Sequence, residues 1–124
     1  MSKIPIVLSF IIIDQLSKLI IIKFFPKIIL FNQGISFGLW PSNIWLIINL
    51  LLIIYLVNYK SHSLGKYLII SGGLSNLIDR IIRGRIVDFI NIYHNLPKFN
   101  LADIFISLGV ILIIKNIFFY PVKR

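Results

Sequence analysis

Four acidic side chains are the residues of this sequence best suited to chemistry. They are Asp14, Asp79, Asp88 and Asp103, and the 124-residue chain contains no Glu. Each lies within or next to an apolar stretch, although an ionised carboxylate inside a bilayer costs about 3 kcal/mol or more. Acids kept for solubility would stand in polar loops, so all four are candidates for a functional site.

Among these four acids, Asp88 and Asp103 included, any two that are held close together could carry hydrolysis. Two carboxyl groups held close together share a proton, so that one serves as an acid while the other serves as a base. This is what is needed to activate a water molecule against a peptide carbonyl. Each residue also fits a simpler role. Asp88 could be exposed on a strand, and Asp103 could form a capping box with Asn100 at the start of a helix.

Two further sets of polar residues interrupt the apolar stretches. Asp14 and Lys18 stand four residues apart, so a helix turns them the same way. They either neutralise each other inside a helix bundle or support a polar cavity. Asn76, Asp79 and Arg80 share one helix face and follow paired glycines that allow close helix packing. The alternative to a functional role for these three is a charge pair of Asp79 with Arg80 at the interface.

The first long loop holds two more candidates, Asn32 and Gly34, which could equally form a turn. Other hydrolytic or metal-binding sets find no support in the sequence. It has no Cys, and His62 and His94 stand in different loops. No spacing of His, Asp and Glu indicates a metal site. We therefore expect neither a metal nor another cofactor.

The composition indicates an integral membrane protein that carries these residues on helices. Hydrophobic residues make up 58% of the chain and charged residues 14%, and the mean hydropathy is +0.94. A helical span needs ~20 residues, and the apolar stretches lack the alternation of barrel strands. The sequence thus predicts an all-α polytopic membrane protein, a single membrane-embedded domain over residues 1–124. Its four predicted transmembrane helices cover residues 4–25, 43–57, 66–82 and 101–119.

Two other interpretations fit the sequence less well. The first stretch could be a secretory signal peptide, but Asp14 and Lys18 interrupt it and no A-x-A cleavage site follows. The formal net charge of +9 would suggest nucleic acid as the partner of a soluble domain. Here the basic residues flank apolar stretches, so we expect anionic lipid head groups as partners and no nucleic acid.

Four spans place both termini on one side of the membrane and two long loops, residues 26–41 and 83–100, on the other. Nearly all the candidate residues then converge near the long-loop side. Alternating segments at residues 28–32 and 85–90 predict short strands at the membrane surface. Apart from Lys18, the basic residues divide six against six between the two sides, so their charge does not orient the chain.

Five short segments, taken in order, resemble the motifs of lipoprotein signal peptidase, the type II signal peptidase of bacteria. Each segment alone is modest evidence, whereas all of them in order on four spans are highly specific. Ser17 stands where the family often has Thr, which keeps the hydroxyl group. The segments are residues 14–18 (Asp-Gln-Leu-Ser-Lys), 32–37 (Asn-Gln-Gly-Ile-Ser-Phe), 72–80 (Gly-Gly-Leu-Ser-Asn-Leu-Ile-Asp-Arg), 84–89 (Gly-Arg-Ile-Val-Asp-Phe) and 99–103 (Phe-Asn-Leu-Ala-Asp).

The resemblance implies an intramembrane aspartic endopeptidase. Members of the family cut the signal peptide from a prolipoprotein just before the Cys that carries a diacylglyceryl group. The catalytic pair implied for this chain is Asp88 and Asp103. The residues implied for substrate binding and support are Asp14, Lys18, Asn32, Gly34, Asn76, Asp79, Arg80 and Asn100.

The resemblance also implies a location and partners. It orients a multi-pass protein in the bacterial plasma (inner) membrane with cytoplasmic termini and an active site near the outer leaflet. The long loops would form a small extracytoplasmic β-cradle, and the first loop would add a surface helix beside the substrate. The implied partners are the prolipoprotein and membrane lipids, without a cofactor, and we expect a monomer.

Two other function classes stay open at this point. A small proton-coupled exporter can also have four short spans with a lone carboxylate in its first helix, the place of Asp14. That hypothesis leaves Asp88 and Asp103 unexplained, and Lys18 would neutralise the carboxylate. A non-enzymatic membrane scaffold is the second class, and it predicts that Asp substitutions change assembly rather than turnover.

Overall fold

The computed structural model describes residues 2–32, 42–61 and 63–120. Within these ranges the chain is mostly helical. Each α-helix begins and ends within two residues of the bounds predicted for one of the four apolar stretches. A short 3-10 helix, Pro26–Ile28, follows the first α-helix. The elements in chain order are α1 (Ile4–Phe24), β1 (Leu30–Asn32), α2 (Ser42–Asn58), α3 (Leu64–Arg83), β2 (Ile86–Asp88) and α4 (Leu101–Phe119).

Local chemistry explains where the helices begin and end. Pro5 lies in the first turn of α1, where its missing N–H has no helical partner to lose. Pro26 follows the last turn, and the residue before a proline is pushed out of helical geometry. At the start of α3, the Ser63 side chain accepts the Lys66 backbone N–H. Gly84 ends α3 with a φ of 73°, the left-handed conformation that glycine adopts without strain.

The two strands form a small antiparallel sheet beside the helices. Leu30 pairs with Asp88, Phe31 with Val87, and Asn32 with Ile86. The strands predicted from the alternating segments are therefore confirmed. The surface helix expected in the first loop, and Gly34 with it, fall on residues 33–41, which lie outside the described residues.

Helix α3 lies at the centre of the helix packing and contacts α1, α2 and α4. Gly72 lets its backbone approach α4 closely, because a Cβ atom there would lie only 2.5 Å from the Ala102 carbonyl oxygen. Small residues permit this approach in membrane helix bundles. The polar residues of α3 can therefore reach the first turn of α4.

Burial is inverted relative to a soluble protein. On α1, Asp14 and Lys18 are fully buried, while Leu16, Leu19 and Ile20 are each more than half exposed. Among the described residues, α1 and α4 are long and apolar enough to cross a bilayer, and the apolar part of α2, Leu46–Asn58, is shorter. Apolar surface that would be costly in water is favourable against lipid, where buried charges must be paired.

Candidate active site

Asp88 and Asp103 contact the same residue, Asn100. Asn100 Nδ2 donates a hydrogen bond to Asp88 Oδ1 (2.9 Å), and the Asn100 backbone N–H donates to Asp103 Oδ2 (3.0 Å). Asn100 Oδ1 accepts the backbone N–H of Asp103 (2.9 Å), which completes a capping box at the start of α4. The predicted capping box is confirmed, and the separate hydrogen bond from Asn100 to Asp88 joins β2 to the start of α4.

A second buried amide, Asn76 on α3, links this pair to α1. Asn76 Nδ2 donates to Asp103 Oδ1 (3.3 Å). Its Oδ1 accepts from Asn100 Nδ2 (3.1 Å) and from Lys18 Nζ (3.2 Å). The amide therefore turns its donor to a carboxylate and its acceptor to an ammonium, which is the orientation that both charges favour.

Asp14, Lys18 and Asp79 form a fully buried ion-pair network. Lys18 Nζ lies 2.6 Å from Asp14 Oδ2 and 2.9 Å from Asp79 Oδ2. Its third contact is Asn76 Oδ1, so each of the three donors of the ammonium has an acceptor. The same-face pairing predicted for Asp14 and Lys18 is present, and Lys18 extends it to α3.

Each buried acid of this network also accepts a hydrogen bond from a backbone N–H. Asp79 Oδ2 accepts the N–H of Val87 (3.1 Å), and Asp14 Oδ1 accepts the N–H of Ala102 (2.9 Å). Each of these two amides belongs to the residue directly before one member of the candidate pair. The network therefore fixes the backbone on which both candidate carboxyl groups stand.

The structure describes the remaining candidates from the sequence in different detail. Arg80 is partly buried on α3 and interacts electrostatically with both Asp88 and Asp103. Asn32 is the last residue of β1. Gly34 lies in the range that the structure leaves undescribed, so its binding role stays a prediction.

The sequence analysis missed three members of the network: Gln15, Ser75 and Arg83. Arg83 Nη1 lies 2.6 Å from Asp79 Oδ1, and Gln15 Nε2 lies 2.9 Å from the same oxygen. Ser75 Oγ donates to Asp14 Oδ2 and accepts from Gln15 Nε2. Spacing could have found two of them, because Ser75 and Arg83 stand four residues before and after Asp79 on one helix face.

A groove of about 330 Å³ opens beside Asp103 and is lined by Phe99, Asp103, Ile104, Ser107 and Leu108. Asp103 is only partly buried, whereas Asp14, Lys18 and Asp79 are completely enclosed. Asp103 is thus accessible to a molecule that enters this groove along α4. Within the described ranges, no three His, Cys, Asp or Glu side chains are grouped to hold a metal ion. The arrangement is one of two carboxyl groups that are linked through Asn100, with the Asn76 amide on one of them.

Comparisons with known proteins agree on one family. The family model of signal peptidase II matches residues 6–119. The lipoprotein signal peptidase of Rickettsia akari (strain Hartford) is 38% identical, with 90% of this chain and 71% of that protein covered. The lipoprotein signal peptidase of Rickettsia felis is 35% identical, with 96% of this chain and 74% of that protein covered.

Two solved structures of membrane enzymes share the fold of this chain. One, described as a bacterial membrane enzyme, superposes with a TM-score of 0.75 at 28% identity and covers 98% of this chain and 92% of its own. A second structure described in the same way gives a TM-score of 0.78 at 28% identity, with 93% and 91% covered. The inverted burial and the apolar helices agree with these neighbours in indicating a membrane protein. The chain belongs to the signal peptidase II family of membrane proteases.

Proposed function

We propose that this chain is an intramembrane aspartic endopeptidase with Asp88 and Asp103 as its catalytic pair. Its substrate is a diacylglyceryl-modified prolipoprotein, which it cuts just before the lipidated Cys to release the signal peptide. Membership of the signal peptidase II family and the name of the Rickettsia relatives support this substrate class. The observation that carries the choice of residues is the contact of Asn100 with both carboxyl groups.

Hydrolysis by this pair needs one ionised and one protonated carboxyl group. The ionised member takes a proton from a bound water molecule as its oxygen attacks the scissile carbonyl. The protonated member donates a hydrogen bond to the carbonyl oxygen as the tetrahedral intermediate forms. Return of a proton to the leaving amine completes cleavage. Because Asp103 is partly exposed at the groove and Asp88 is buried, the two environments differ, as this division of roles requires.

The neighbouring polar residues take supporting roles in this proposal. Asn76 donates a hydrogen bond to Asp103, and Asn100 donates one to Asp88, so the two amides hold the two carboxyl groups in place. The positive charge of Arg80 interacts electrostatically with both carboxyl groups of the pair. Asn32 and Gly34 keep the substrate-binding or supporting role that the family resemblance implies, while Asp14, Lys18 and Asp79 fix the scaffold behind the site.

We further infer that all four helices cross the membrane. The termini then lie in the cytoplasm, and the site lies near the outer leaflet of the bacterial plasma membrane. Helices α2 and α3 connect through a short turn, whereas the sheet and the candidate pair lie at the opposite end. The exposed apolar surface suits lipid as partner rather than nucleic acid, and the enclosed polar centre is built within one chain, as a monomer requires.

Cleavage of a purified diacylglyceryl-modified prolipoprotein, followed by gel shift, tests the proposal. Wild type is compared with Asp88→Asn and Asp103→Asn at equal folded concentrations, and with Lys115→Met on the exposed end of α4 as the control. We expect cleavage before the lipidated Cys by wild type and Lys115→Met only. Near wild-type turnover in either Asp variant would refute the catalytic pair.

The same experiment separates the other function classes. Cleavage by none of the proteins would favour the scaffold or the exporter, with assembly assays and proton-dependent flux in vesicles as the next measurements. The exporter has less support from the structure, because Asp14 is fully enclosed and its carboxylate is bound by Lys18, Ser75 and the Ala102 N–H. A carboxylate that carries protons across a membrane must open to water.

A further inference from the structure

We propose that Arg83 is a positioning residue for Asp88, acting through Asp79 and the backbone of Val87. The inference rests on the proposed function, since it assigns a purpose to the site that contains Asp88. Arg83 is the last residue of α3, and β2 begins three residues later. It therefore stands where the chain leaves the helix and enters the strand that carries the candidate acid.

Arg83 is bound at two points on two helices. Its Nη1 donates to Asp79 Oδ1 on α3 (2.6 Å) and to Gln15 Oε1 on α1 (3.0 Å). Gln15 Nε2 in turn donates to Asp79 Oδ1 (2.9 Å). The three side chains form a closed triangle, so the guanidinium cannot leave Asp79 without also breaking its contact with α1.

The orientation of Asp79 is what Arg83 secures. Asp79 Oδ1 faces Arg83 and Gln15, while Oδ2 faces Lys18 Nζ (2.9 Å) and the Val87 N–H (3.1 Å). A carboxylate can accept about four hydrogen bonds, and all four are used here. Loss of the two donors on Oδ1 would free the carboxylate to rotate, and the hydrogen bond from Val87 would weaken with it.

Charge balance gives Arg83 a second reason to be present. Asp14 and Asp79 are two buried carboxylates, and Lys18 alone lies between them. Without Arg83 this cluster would carry one uncompensated negative charge, which is costly in an enclosed apolar setting. With Arg83 the formal charges of the cluster balance, while Asp79 Oδ2 accepts the Val87 N–H.

A solvent-exposed pair at the end of a helix is the alternative explanation. Such i,i+4 pairs contribute only a few tenths of a kcal/mol. The Arg83 side chain is 19% exposed, however, and its partner Asp79 is 0% exposed. The link to Gln15 on another helix is also absent from an ordinary pair within one helix. The geometry is therefore that of a cation held between helices and behind the site.

The test compares Arg83→Met with Arg83→Lys, which keeps the charge and a donor for Asp79. Lys23→Met is the matched control, because Lys23 is an exposed cation at the end of α1 whose contact is the ring of Phe24. Cleavage of the lipid-modified prolipoprotein gives kcat and KM, and thermal unfolding gives the folded fraction. Backbone hydrogen exchange is measured separately for residues 86–89 and 101–104.

We expect Arg83→Met to lower kcat about tenfold, a typical coupling between contacting residues, with KM unchanged. Arg83→Lys should recover most of the loss, and Lys23→Met should match wild type. Hydrogen exchange in Arg83→Met should speed up at residues 86–89. It should stay unchanged at residues 101–104, where Asp14 holds the Ala102 N–H.

Two results would overturn the inference. One is a kcat for Arg83→Met within about twofold of wild type, as a weak exposed pair gives. The other is faster exchange in both segments together with a loss of folded protein, which indicates general destabilisation. If wild type itself fails to cleave, the proposed function fails, and the exchange difference between the two segments alone decides whether Arg83 positions the strand.

Discussion

Replacing Lys18 with methionine removes the one ammonium that lies between Asp14 and Asp79. Lys18 is fully enclosed, and its Nζ lies 2.6 Å from one carboxylate and 2.9 Å from the other. Methionine fills a similar volume, so the substitution chiefly deletes charge and hydrogen bonds rather than creating a large cavity. Two buried carboxylates then share only Arg83 as a compensating cation within the described network.

The structure sets the size of the effect. Removing one partner of a buried ion pair costs about 3–5 kcal/mol, because the other charge stays buried without compensation. The two hydrogen bonds from Lys18 to carboxylates, at about 1.5–3 kcal/mol each, give a similar sum. Against a total stability of about 5–15 kcal/mol, this loss removes from about a fifth to all of the free energy that keeps the protein folded. We therefore expect Lys18→Met to lower the free energy of unfolding by about 3–5 kcal/mol.

Charge balance predicts a partial rescue by a second substitution. Asp14→Asn removes one negative charge and keeps an oxygen that can accept the Ala102 N–H. In Lys18→Met/Asp14→Asn the remaining Asp79 is balanced by Arg83. We expect the double variant to be more stable than Lys18→Met alone, by about 1–3 kcal/mol as contacting residues couple.

Equilibrium unfolding in mixed micelles, followed by far-ultraviolet circular dichroism, measures the free energy of unfolding of Lys18→Met and of the double variant. Wild type and Lys115→Met serve as references, since Lys115 is an exposed cation at the far end of α4. The reasoning is refuted if the double variant is less stable than Lys18→Met. That result would mean that the individual hydrogen bonds of Asp14, and not the uncompensated charge, account for the loss.

Three further substitutions test the supports of the site. Asn100→Ala should lower the free energy of unfolding by about 1 kcal/mol as a lost helix cap and by about 1–3 kcal/mol more, because buried partners of its side chain lose their donor. Turnover per folded molecule should fall at least about tenfold, since Asn100 contacts both carboxyl groups; near wild-type turnover of the folded fraction would contradict this. Gly72→Leu should destabilise the chain by at least about 1–3 kcal/mol in the unfolding assay through overpacking, since even a Cβ there lies 2.5 Å from the Ala102 oxygen. Lys66→Met should cost about 1.5–3 kcal/mol in the same assay, because Lys66 Nζ donates to the Tyr59 carbonyl (2.6 Å) beyond the end of α2; an unchanged midpoint would show that water replaces this donor.

The sequence predicted the helices and strands well because their signals are local. An apolar stretch of about 20 residues and a short alternating segment are each visible without knowledge of tertiary contacts. The buried acids were also visible, since a charge inside an apolar stretch is unusual whatever its partner. Asp14 with Lys18 is such a case, because spacing alone brings the two side chains to one helix face.

The partners of Asp79 could not be predicted in the same way. The sequence offers Arg80 next to it and Arg83 one turn later, and both are plausible cations at the end of a helix. An ion pair of Asp79 with Arg83 is seen, and Gln15 completes it from 68 residues away in the chain. Such a choice depends on how α1 and α3 pack, and that packing leaves no local pattern in the sequence.

The geometry of Asp103 shows why its two predicted roles do not exclude each other. A helix cap needs one carboxyl oxygen, and Oδ2 accepts the Asn100 N–H for that purpose. The other oxygen, Oδ1, faces the Asn76 amide from α3. A carboxyl group with two oxygens in two directions can therefore end a helix and take part in a polar centre at once. The cap also fixes the position of Asp103, since its own N–H is held by Asn100 Oδ1. This suits the proposed function, because a carboxyl group at a helix start stands on backbone that Asn100 already holds.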